Sequence, residues 1–295
     1  MYVRLLRSEI EEVPEHVAVI QDGNRRYARN RGKQTSDGHR QGAQRTEQVL
    51  DWCHELGIEE LTLYTFSTEN FERPKDEREA LFDLIERKLL EFADAERVHE
   101  NRVCIRALGD IDRLPPRVQD AVDYAEDRTR AYDSFVLNIA LAYGGRAELL
   151  SATRRILSQV DDGDLSPNDI DIKTVQNQLY DRPVRDVDLI IRTGGDERTS
   201  NFLPWYANGN EAAVYFCTPY WPEFSKPEFL RSLRTYQHRE EAWRKTKLGR
   251  ALTLVKTFTE TETKEAERII ESLDQQPDDE TTRQVFTPDE DVDSS

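Results

Sequence analysis

The sequence lacks the short motifs of several large enzyme classes. It has no Gly-x-x-x-x-Gly-Lys-Ser/Thr loop and no Gly-x-Gly-x-x-Gly run, so nothing supports a nucleotide-dependent reaction. It also has no Gly-x-Ser-x-Gly turn, which carries the nucleophile of α/β-hydrolases. The 5 histidines do not fall at metal-ligand spacings. Any chemistry must come from other residue types.

Cysteine and lysine are both scarce. Cys53, Cys104 and Cys217 are far apart and lie in apolar runs, so buried free thiols are favoured over a zinc site or a disulfide framework. Only 9 of the 41 basic residues are lysine, and the formal net charge is −17. Such a surplus of acidic side chains and arginine is typical of proteins kept soluble in a saline cytoplasm. We expect no nucleic-acid partner for so negative a chain.

Long apolar runs are absent as well. No segment approaches the ~18 apolar residues of a membrane-spanning helix, and the first residues do not resemble a signal peptide. We expect a cytoplasmic protein, with peripheral membrane contact left open. Apolar residues give way to Gln, Pro, Asp, Glu, Thr and Ser from about Asp274. The prediction is an N-terminal extension over 1–13, one domain over 14–272 and a disordered acidic tail over 273–295.

Short apolar runs alternate with helical patterns along the chain. Six runs are predicted strands: Val17–Ile20, Leu61–Phe66, Val103–Leu108, Phe135–Leu141, Val187–Ile191 and Ala212–Cys217. Helical periodicity predicts Gln44–Leu56, Glu79–Val98, Leu114–Arg130 and a helix from Arg146 to about Val160. This alternation predicts an α/β fold, a single domain with a central, mostly parallel six-stranded sheet flanked by helices.

Residues 16–27 combine a strand, a sharp turn and the basic start of a helix. The apolar run 17–20 is typical of a buried parallel strand. The free N–H groups at the start of the following helix bind anions, and Arg25 and Arg26 add positive charge. Asp22 would repel a phosphate group unless a divalent cation lay between them. The stretch therefore predicts a metal-assisted diphosphate site.

Polar residues follow three of the predicted strands. The first strand is followed by Asp22, Gly23, Asn24, Arg25 and Arg26, the second by Ser67, Glu69, Asn70 and Arg73, and the fifth by Arg192, Gly194, Gly195, Arg198 and Ser200. Ligands of open parallel sheets lie outside the carboxyl ends of the strands, so we expect these groups to meet. Two anion-binding clusters predict two phosphorylated substrates or one large one. Each cluster alone is weak evidence for a ligand site, because an arginine at a strand end more often forms a surface salt bridge.

Two features leave alternatives open. His39 lies where a helix is predicted to begin, and it fits either a structural histidine or an imidazolium that faces a phosphate. The apolar helix predicted over Glu79–Val98 fits core packing better than the wall of a ligand tunnel on periodicity alone.

Five ordered motifs resemble those of the cis-prenyltransferases, the undecaprenyl diphosphate synthase family. They cover residues 16–27, 63–74, 138–146, 188–203 and 221–224, and the resemblance extends over roughly residues 14–245. It implies a homodimeric enzyme that repeatedly condenses isopentenyl diphosphate onto an allylic diphosphate, farnesyl or geranylgeranyl, and adds each new double bond in cis. The implied product is a long polyprenyl diphosphate, the precursor of a glycosyl carrier lipid.

The resemblance also implies a hydrophobic tunnel beside the sheet. Part of the predicted helix over Glu79–Val98 would form its wall, with Phe82, Ile85, Leu89 and Phe92 as the candidate lining residues. With the resemblance, one part of the apolar face of this helix is expected to pack in the core and another part to line the tunnel.

Roles for individual residues follow from the same resemblance. Asp22 is implied to act with Mg²⁺ on the departing allylic diphosphate, and Asn70 to help remove the proton after condensation. The allylic diphosphate would be held by Gly23, Asn24, Arg25, Arg26 and His39. The isopentenyl diphosphate would be held by Arg192, Arg198, Thr199 and Ser200. Flanking substrate contacts are implied at Tyr27, Ser67, Thr68, Glu69, Phe71 and Arg73.

The chain departs from the family pattern at four positions. Arg25 stands where the family usually has Gly, and Tyr27 where it has Trp. Thr35 stands where an arginine often contacts phosphate, so Arg25 or Arg31 would have to replace that contact. Glu211 fits the family's second Mg²⁺ ligand only when counted forward from the preceding motif.

Two further functions were weighed against catalysis. A non-catalytic binding subunit of a prenyltransferase complex is disfavoured because Asp22, Asn70 and Arg192 are all present. A phosphohydrolase of the haloacid dehalogenase type needs Asp-x-Asp, and Asn24 replaces the second carboxylate. The saline composition favours a halophilic, archaeal-type host, and with it geranylgeranyl diphosphate as the primer.

Overall fold

The chain divides into two units, residues 1–239 and residues 240–295. The computed structural model describes residues 2–179, 185–207, 212–245 and 264. The acidic tail over 273–295 and Glu211 lie outside the described residues, and the predicted domain boundaries stay predictions. Everything below concerns the first unit. No helix within the described ranges is long and apolar enough to cross a membrane.

Six strands form one sheet in the first unit. They are β1 (His16–Ile20), β2 (Glu60–Tyr64), β3 (Val103–Leu108), β4 (Phe135–Ala140), β5 (Leu189–Arg192) and β6 (Ala213–Phe216). Their spatial order is β3-β4-β2-β1-β5-β6, and every neighbouring pair is parallel. The predicted six-stranded α/β fold is confirmed, with a sheet that is parallel throughout. All six strands therefore end at the same edge.

Eight α-helices lie before β5 within the described ranges. They are α1 (Tyr2–Ser8), α2 (Asn24–Asn30), α3 (Thr35–Leu56), α4 (Lys75–Asp94), α5 (Glu96–Glu100), α6 (Pro116–Thr129), α7 (Gly145–Asp161) and α8 (Ile172–Leu179). Residues 226–239 are also helical. Extended backbone at Ala95 separates α4 from α5, where the sequence pattern predicted one continuous helix. Helix α1 was not predicted, and its Leu6 is buried in the core.

The sheet separates two apolar layers because successive side chains of a strand point to opposite faces. Val17 and Val19 of β1 pack in the larger layer with α3, α4 and α6. Ala18 and Ile20 pack in the smaller layer with α7 and α8. Every β1 residue is buried, which explains why this strand is a continuous apolar run in the sequence.

Two glycines on α3 let α2 approach closely. A Cβ atom at Gly38 would lie 2.2 Å from the backbone oxygen of Asn24, and one at Gly42 would lie 2.3 Å from Oδ1 of the same residue. The carbonyl of Gly42 also accepts a hydrogen bond of 2.8 Å from the indole N–H of Trp221. The helical periodicity predicted a helix from Gln44, whereas α3 begins nine residues earlier, at Thr35. The packing against α2 favours glycine in this first part of the helix, and glycine in a sequence argues against a helix.

We expect Gly38→Ala to lower the free energy of unfolding by about 1–3 kcal/mol, because the added methyl group meets backbone that cannot move without shifting α2. Urea unfolding measures the change. Gln44→Ala, at an exposed position of the same helix, is the matched control and should change stability by less than about 0.5 kcal/mol. Equal stability of the Gly38 variant and the wild type would contradict the close approach.

Candidate active site

Asp22 lies in the turn between β1 and α2. Its Oδ2 accepts a hydrogen bond of 2.7 Å from Arg192, and its Oδ1 lies 3.1 Å from Nη2 of Arg26 and accepts a bond of 2.6 Å from the N–H of Gly23. Burial alone would raise the pKa of this carboxyl. The bond from Arg192 and the charges of Arg26 and Arg192 outweigh burial, so the pKa of Asp22 lies below its usual value.

The register of the sheet brings these residues together. Ile20 at the end of β1 is paired with Arg192 at the end of β5. The next residue, Thr193, is buried, and its hydroxyl donates to the carbonyl of Asp22 at 2.8 Å and accepts from its N–H at 3.1 Å. The backbone of Asp22 is therefore fixed to the neighbouring strand. Sequence reasoning did not select Thr193.

Arg192 is the centre of the second predicted cluster and is only 3% exposed. Its Nη1 donates to Oγ of Ser200 at 2.6 Å and to the carbonyl of Arg198 at 2.5 Å. Ser200 has a φ of 49°, a left-handed conformation that is uncommon for residues other than glycine. This turn points the serine hydroxyl back toward the strand end.

Asp196 joins the two predicted anion clusters. Its Oδ2 lies 3.1 Å from Arg198, 3.4 Å from Arg192 and 3.7 Å from Arg26. The clusters after β1 and β5 therefore form one continuous group of three arginines and two carboxylates. Asp196 was not among the predicted site residues, although it stands beside the Gly194-Gly195 pair in the sequence.

A polar recess of ≈ 960 Å³ opens over this group. Of the predicted site residues it is lined by Asp22, Gly23, Asn24, Arg25, Arg26, His39, Arg73 and Arg198. Thr35, Arg29 and Lys33 also line it. Arg31 instead packs on the ring of Tyr27 at 4.1 Å and pairs with Glu223 at 3.0 Å. Thr35 stands where an arginine often contacts phosphate in the family. Arg29 and Lys33 line the recess and Arg31 does not, so they are better placed than Arg31 to supply that phosphate contact.

Glu77 holds three of the recess side chains. Its Oε1 lies 3.0 Å from Arg73, 3.3 Å from Arg25 and 3.8 Å from Nε2 of His39. Burial, together with the charges of Arg73 and Arg25, lowers the pKa of His39 to about 4. The ring is therefore uncharged at neutral pH in the protein alone, and an imidazolium there would require a bound anion. Glu77 carried no motif signal beyond its place four residues after Arg73.

Several predicted site residues lie away from the recess lining. The Tyr27 side chain is buried, and its hydroxyl donates to Gln41 at 2.5 Å. Phe71 packs against Phe66 with ring centroids 5.0 Å apart. Oδ1 of Asn70 accepts from the N–H of Ser67 at 3.1 Å in a capping box. The remaining members of this set, which do not line the recess either, are Ser67, Thr68, Glu69, Arg192, Thr199 and Ser200.

An apolar cavity of ≈ 100 Å³ continues from the recess, and the two share Gln21, Asn24 and His39. The cavity lies between α3, α4 and the sheet. Its apolar lining comes from Leu63, Leu81, Leu84, Ile85, Leu89, Phe92, Leu137 and Ile139. Three of the four predicted tunnel residues lie there.

Phe82 does not line the cavity, which corrects the prediction for that residue. Its ring packs 5.2 Å from the ring of Phe66 in the core. The lining stripe of α4 runs through Leu81, Ile85 and Leu89 at helical spacing, and Phe82 lies one position round the helix from this stripe.

The described residues contain no group of three or more His, Cys, Asp or Glu side chains that could hold a metal ion. Mg²⁺ nevertheless binds commonly through one or two carboxylates plus phosphate oxygens and water. Asp22 offers such a carboxylate at the recess. The residues present therefore fit Mg²⁺ that arrives with a diphosphate, rather than a site built entirely from protein ligands.

The sequence profile of the prenyltransferase family described as undecaprenyl diphosphate synthase matches residues 20–244. The chain belongs to the undecaprenyl diphosphate synthase family. It is a cis-prenyltransferase, an enzyme that elongates allylic diphosphates. The resemblance expected from the five motifs is confirmed, and the match includes every described site residue named above.

Curated members of the family with high identity come from haloarchaea. A protein of Halobacterium salinarum is 62% identical over 271 residues, which cover 92% of this chain and 89% of the relative. One of Haloarcula marismortui is 60% identical, over 91% of this chain and 88% of the relative. Both are named tritrans,polycis-undecaprenyl-diphosphate synthase (geranylgeranyl-diphosphate specific). These synthase names do not support the alternative of a non-catalytic subunit.

Two solved structures of the family share the fold. Lavandulyl diphosphate synthase from Lavandula x intermedia, crystallised with dimethylallyl diphosphate, has a TM-score of 0.69 at 33% identity and covers 76% of this chain and 95% of its own. A probable undecaprenyl diphosphate synthase from Campylobacter jejuni has a TM-score of 0.62 at 32% identity, over 77% and 96% of the two chains. Both proteins act on prenyl diphosphates according to their names.

We expect the His39 ring of the ligand-free enzyme to titrate near a pKa of about 4, well below its ordinary value. Arg73→Gln removes a nearby positive charge and should move the midpoint upward. Histidine NMR signals followed against pH give both values. Arg40→Gln, whose exposed side chain pairs with Asp37, is the control and should leave the His39 titration unchanged. A wild-type midpoint near 6.5 would contradict the buried, cationic surroundings described here.

Proposed function

We propose that the enzyme condenses isopentenyl diphosphate repeatedly onto geranylgeranyl diphosphate and releases a long polycis-polyprenyl diphosphate, the precursor of a glycosyl carrier lipid. The observation that carries the proposal is the continuity of an arginine-rich recess with an apolar cavity. A substrate with a doubly charged head and a hydrocarbon tail matches that pair of surfaces. The names of the haloarchaeal relatives support the choice of primer.

In this proposal the allylic diphosphate lies at the start of α2. Gly23, Asn24, Arg25, Arg26 and His39 hold it, with Arg29 and Lys33 at the rim. A helix start carries free N–H groups and a positive dipole end, which favour a diphosphate. Arg26 then exchanges its carboxylate partner Asp22 for phosphate oxygens. Arg192, Arg198, Thr199 and Ser200 hold the isopentenyl diphosphate beside it.

Ionisation of the allylic diphosphate needs charge neutralisation on the leaving group. Asp22 would hold Mg²⁺, which would supply a Lewis acid there, and Arg26 stabilises the charge that develops on the departing oxygens. Although burial raises the pKa of Asp22, Arg192 and Arg26 hold it below its usual value, so the carboxylate stays charged in this half-buried position. Glu211 is a second proposed Mg²⁺ ligand and lies outside the described residues.

Condensation leaves a cationic intermediate that must lose a proton. An amide is a poor base, so Asn70 acts by orienting a water or a diphosphate oxygen that takes the proton. Its Oδ1 faces the backbone N–H of Ser67, which leaves Nδ2–H to make that contact. Ser67, Thr68, Glu69, Phe71, Arg73 and Tyr27 are proposed to flank the substrates and to shape this part of the site.

The assembled enzyme is proposed to be a cytoplasmic homodimer. Leu150 and Leu157 on α7 are 51% and 56% exposed, which offers apolar surface to a second copy. The product carries a long hydrocarbon chain with a charged head. Peripheral contact with a membrane would give that chain an apolar phase to enter on release.

We expect Asp22→Asn to lower turnover by roughly a hundredfold or more, because the neutral amide no longer holds Mg²⁺ against the leaving diphosphate. Labelled isopentenyl diphosphate incorporated into lipid-extractable product measures the rate. Asp133→Asn, an exposed partner of Arg102, is the matched control and should retain wild-type turnover. Turnover of Asp22→Asn within a few-fold of the wild type would overturn the assignment of Asp22.

We expect kcat/KM to be higher with geranylgeranyl than with farnesyl diphosphate, because the longer chain reaches further into the apolar cavity and buries more hydrocarbon. Steady-state assays with the two primers at one concentration of isopentenyl diphosphate compare them directly. A preference for farnesyl diphosphate would contradict the proposed primer while leaving the reaction type standing.

A further inference from the structure

An aromatic cluster joins two segments of the candidate active site. Tyr64, the last residue of β2, stacks on Phe202, with ring centroids 4.4 Å apart and planes only 4° from parallel. Tyr143 meets both rings edge-on, 5.8 Å from Tyr64 and 5.9 Å from Phe202. Tyr143 and Phe202 are buried, so close packing fixes the three rings relative to one another. The ring and the hydroxyl group of Tyr64 have different partners.

The ring of Tyr64 supports the turn that carries Ser200. In this turn Ser200 and Asn201 have φ values of 49° and 59°, a left-handed conformation that is unfavourable for residues other than glycine. Such a backbone persists only where the surrounding contacts hold it. The stack of Phe202, the next residue, on Tyr64 is one of these contacts. It thus helps to keep Ser200 in place, with Oγ accepting the hydrogen bond of 2.6 Å from Arg192.

The hydroxyl group of Tyr64 supports the segment that carries Asn70. It donates a hydrogen bond of 3.3 Å to the carbonyl of Tyr143. The same carbonyl accepts a bond of 2.8 Å from the N–H of Thr68, and Ser67 is joined to Tyr143 by an isolated parallel bridge. Ser67 in turn begins the capping box that fixes the side chain of Asn70. The phenol and Asn70 are therefore connected through a short chain of hydrogen bonds.

Tyr64 is a hydrogen-bond donor and not a base. Burial and the charge of Glu69 raise the pKa of its phenol to about 12, although Ser67 and Arg192 act in the opposite direction. The hydroxyl group is therefore protonated at neutral pH and cannot take up a proton from an intermediate. What Tyr64 offers to the site is its contacts with the two segments, and these are the contacts of a positioning residue.

We propose that Tyr64 aligns Asn70 with the isopentenyl diphosphate that Ser200 helps to hold. The inference rests on the proposed function. In the condensation, the C3–C4 double bond of isopentenyl diphosphate supplies the electron pair for a new bond to C1 of the allylic chain, whose diphosphate leaves. A proton then departs from C2 to the water or diphosphate oxygen that Asn70 orients, and a C2–C3 double bond forms. Tyr64 keeps Asn70 beside the carbon that loses this proton.

Tyr64→Phe removes the hydroxyl group and retains the stack on Phe202. We expect kcat to fall about three- to tenfold, the effect of one lost hydrogen bond, while the KM for isopentenyl diphosphate stays within about twofold of the wild type. Slower proton loss should raise the kinetic isotope effect for isopentenyl diphosphate deuterated at C2, measured in a single turnover. Tyr215→Phe is the matched control. It loses a hydroxyl bond of 2.6 Å to Glu228 on the edge strand β6, and it should keep the wild-type kcat and isotope effect.

Phe202→Leu tests the ring separately, because it removes the stack and leaves the hydroxyl group of Tyr64. Isopentenyl diphosphate does not react without an allylic primer, so its Kd from isothermal titration calorimetry needs no turnover. We expect this Kd to rise about threefold or more, the effect of one aromatic pair, and to stay unchanged in Tyr64→Phe. Phe135→Leu, the same change in a buried side chain at the start of β4, is the matched control and should bind with the wild-type Kd.

Each of three results would overturn the proposal. They are a wild-type kcat and isotope effect in Tyr64→Phe, a lower kcat there with an unchanged isotope effect, and a Kd in Phe202→Leu that rises no more than in Phe135→Leu. A lower kcat with a larger isotope effect in Tyr64→Phe, together with weaker binding in Phe202→Leu alone, would support it. Absence of any polyprenyl product from the wild type would instead count against the proposed function, so the two failures are distinguishable.

Discussion

The ion pair between Arg192 and Asp22 is the interaction on which the candidate site depends. A guanidinium that is 97% buried needs a partner, since an unpaired buried charge is costly. The parallel pairing of β1 with β5 places Asp22 beside it at 2.7 Å. That contact keeps the carboxylate charged and brings the turn after β5, with Ser200 and Asp196, next to the start of α2.

The same arrangement links a charged recess to an apolar cavity. The recess collects the arginines at the strand ends, while the cavity begins at Asn24 and His39 and runs beneath α4. The close approach of α2 to Gly38 and Gly42 of α3 fixes the position of Asn24. Asn24 lines both the recess and the cavity. Head-group binding and chain accommodation are therefore coupled through one short stretch of backbone.

Local sequence patterns predicted much of the fold and of the candidate site. Continuous apolar runs located all six strands within a few residues, because buried parallel strands consist mostly of apolar residues. The strand-end rule then gathered Asp22, Arg26 and Arg192 correctly. A helix was predicted to begin near His39, and α3 begins four residues earlier, at Thr35, because glycines favoured by packing look like a loop in sequence. The sequence left open which of the four candidate tunnel residues face the cavity, and Phe82 is the one that does not. Periodicity gives a stripe on a helix but not which neighbour each side of the stripe meets.

The residue types of the chain settle its family and the chemistry available at its strand ends, since motifs and periodicity are properties of local sequence. Local sequence does not predict which residues these side chains contact in the folded protein. Glu77 lies outside the five motifs and contacts side chains of α2 and α3 as well as Arg73. Asp196 joins Arg26 of α2 to Arg192 and Arg198 of its own segment. The narrowness of the cavity likewise depends on how α3 and α4 pack against the sheet. Distances between elements far apart in sequence arise from the whole fold, and no local pattern encodes them.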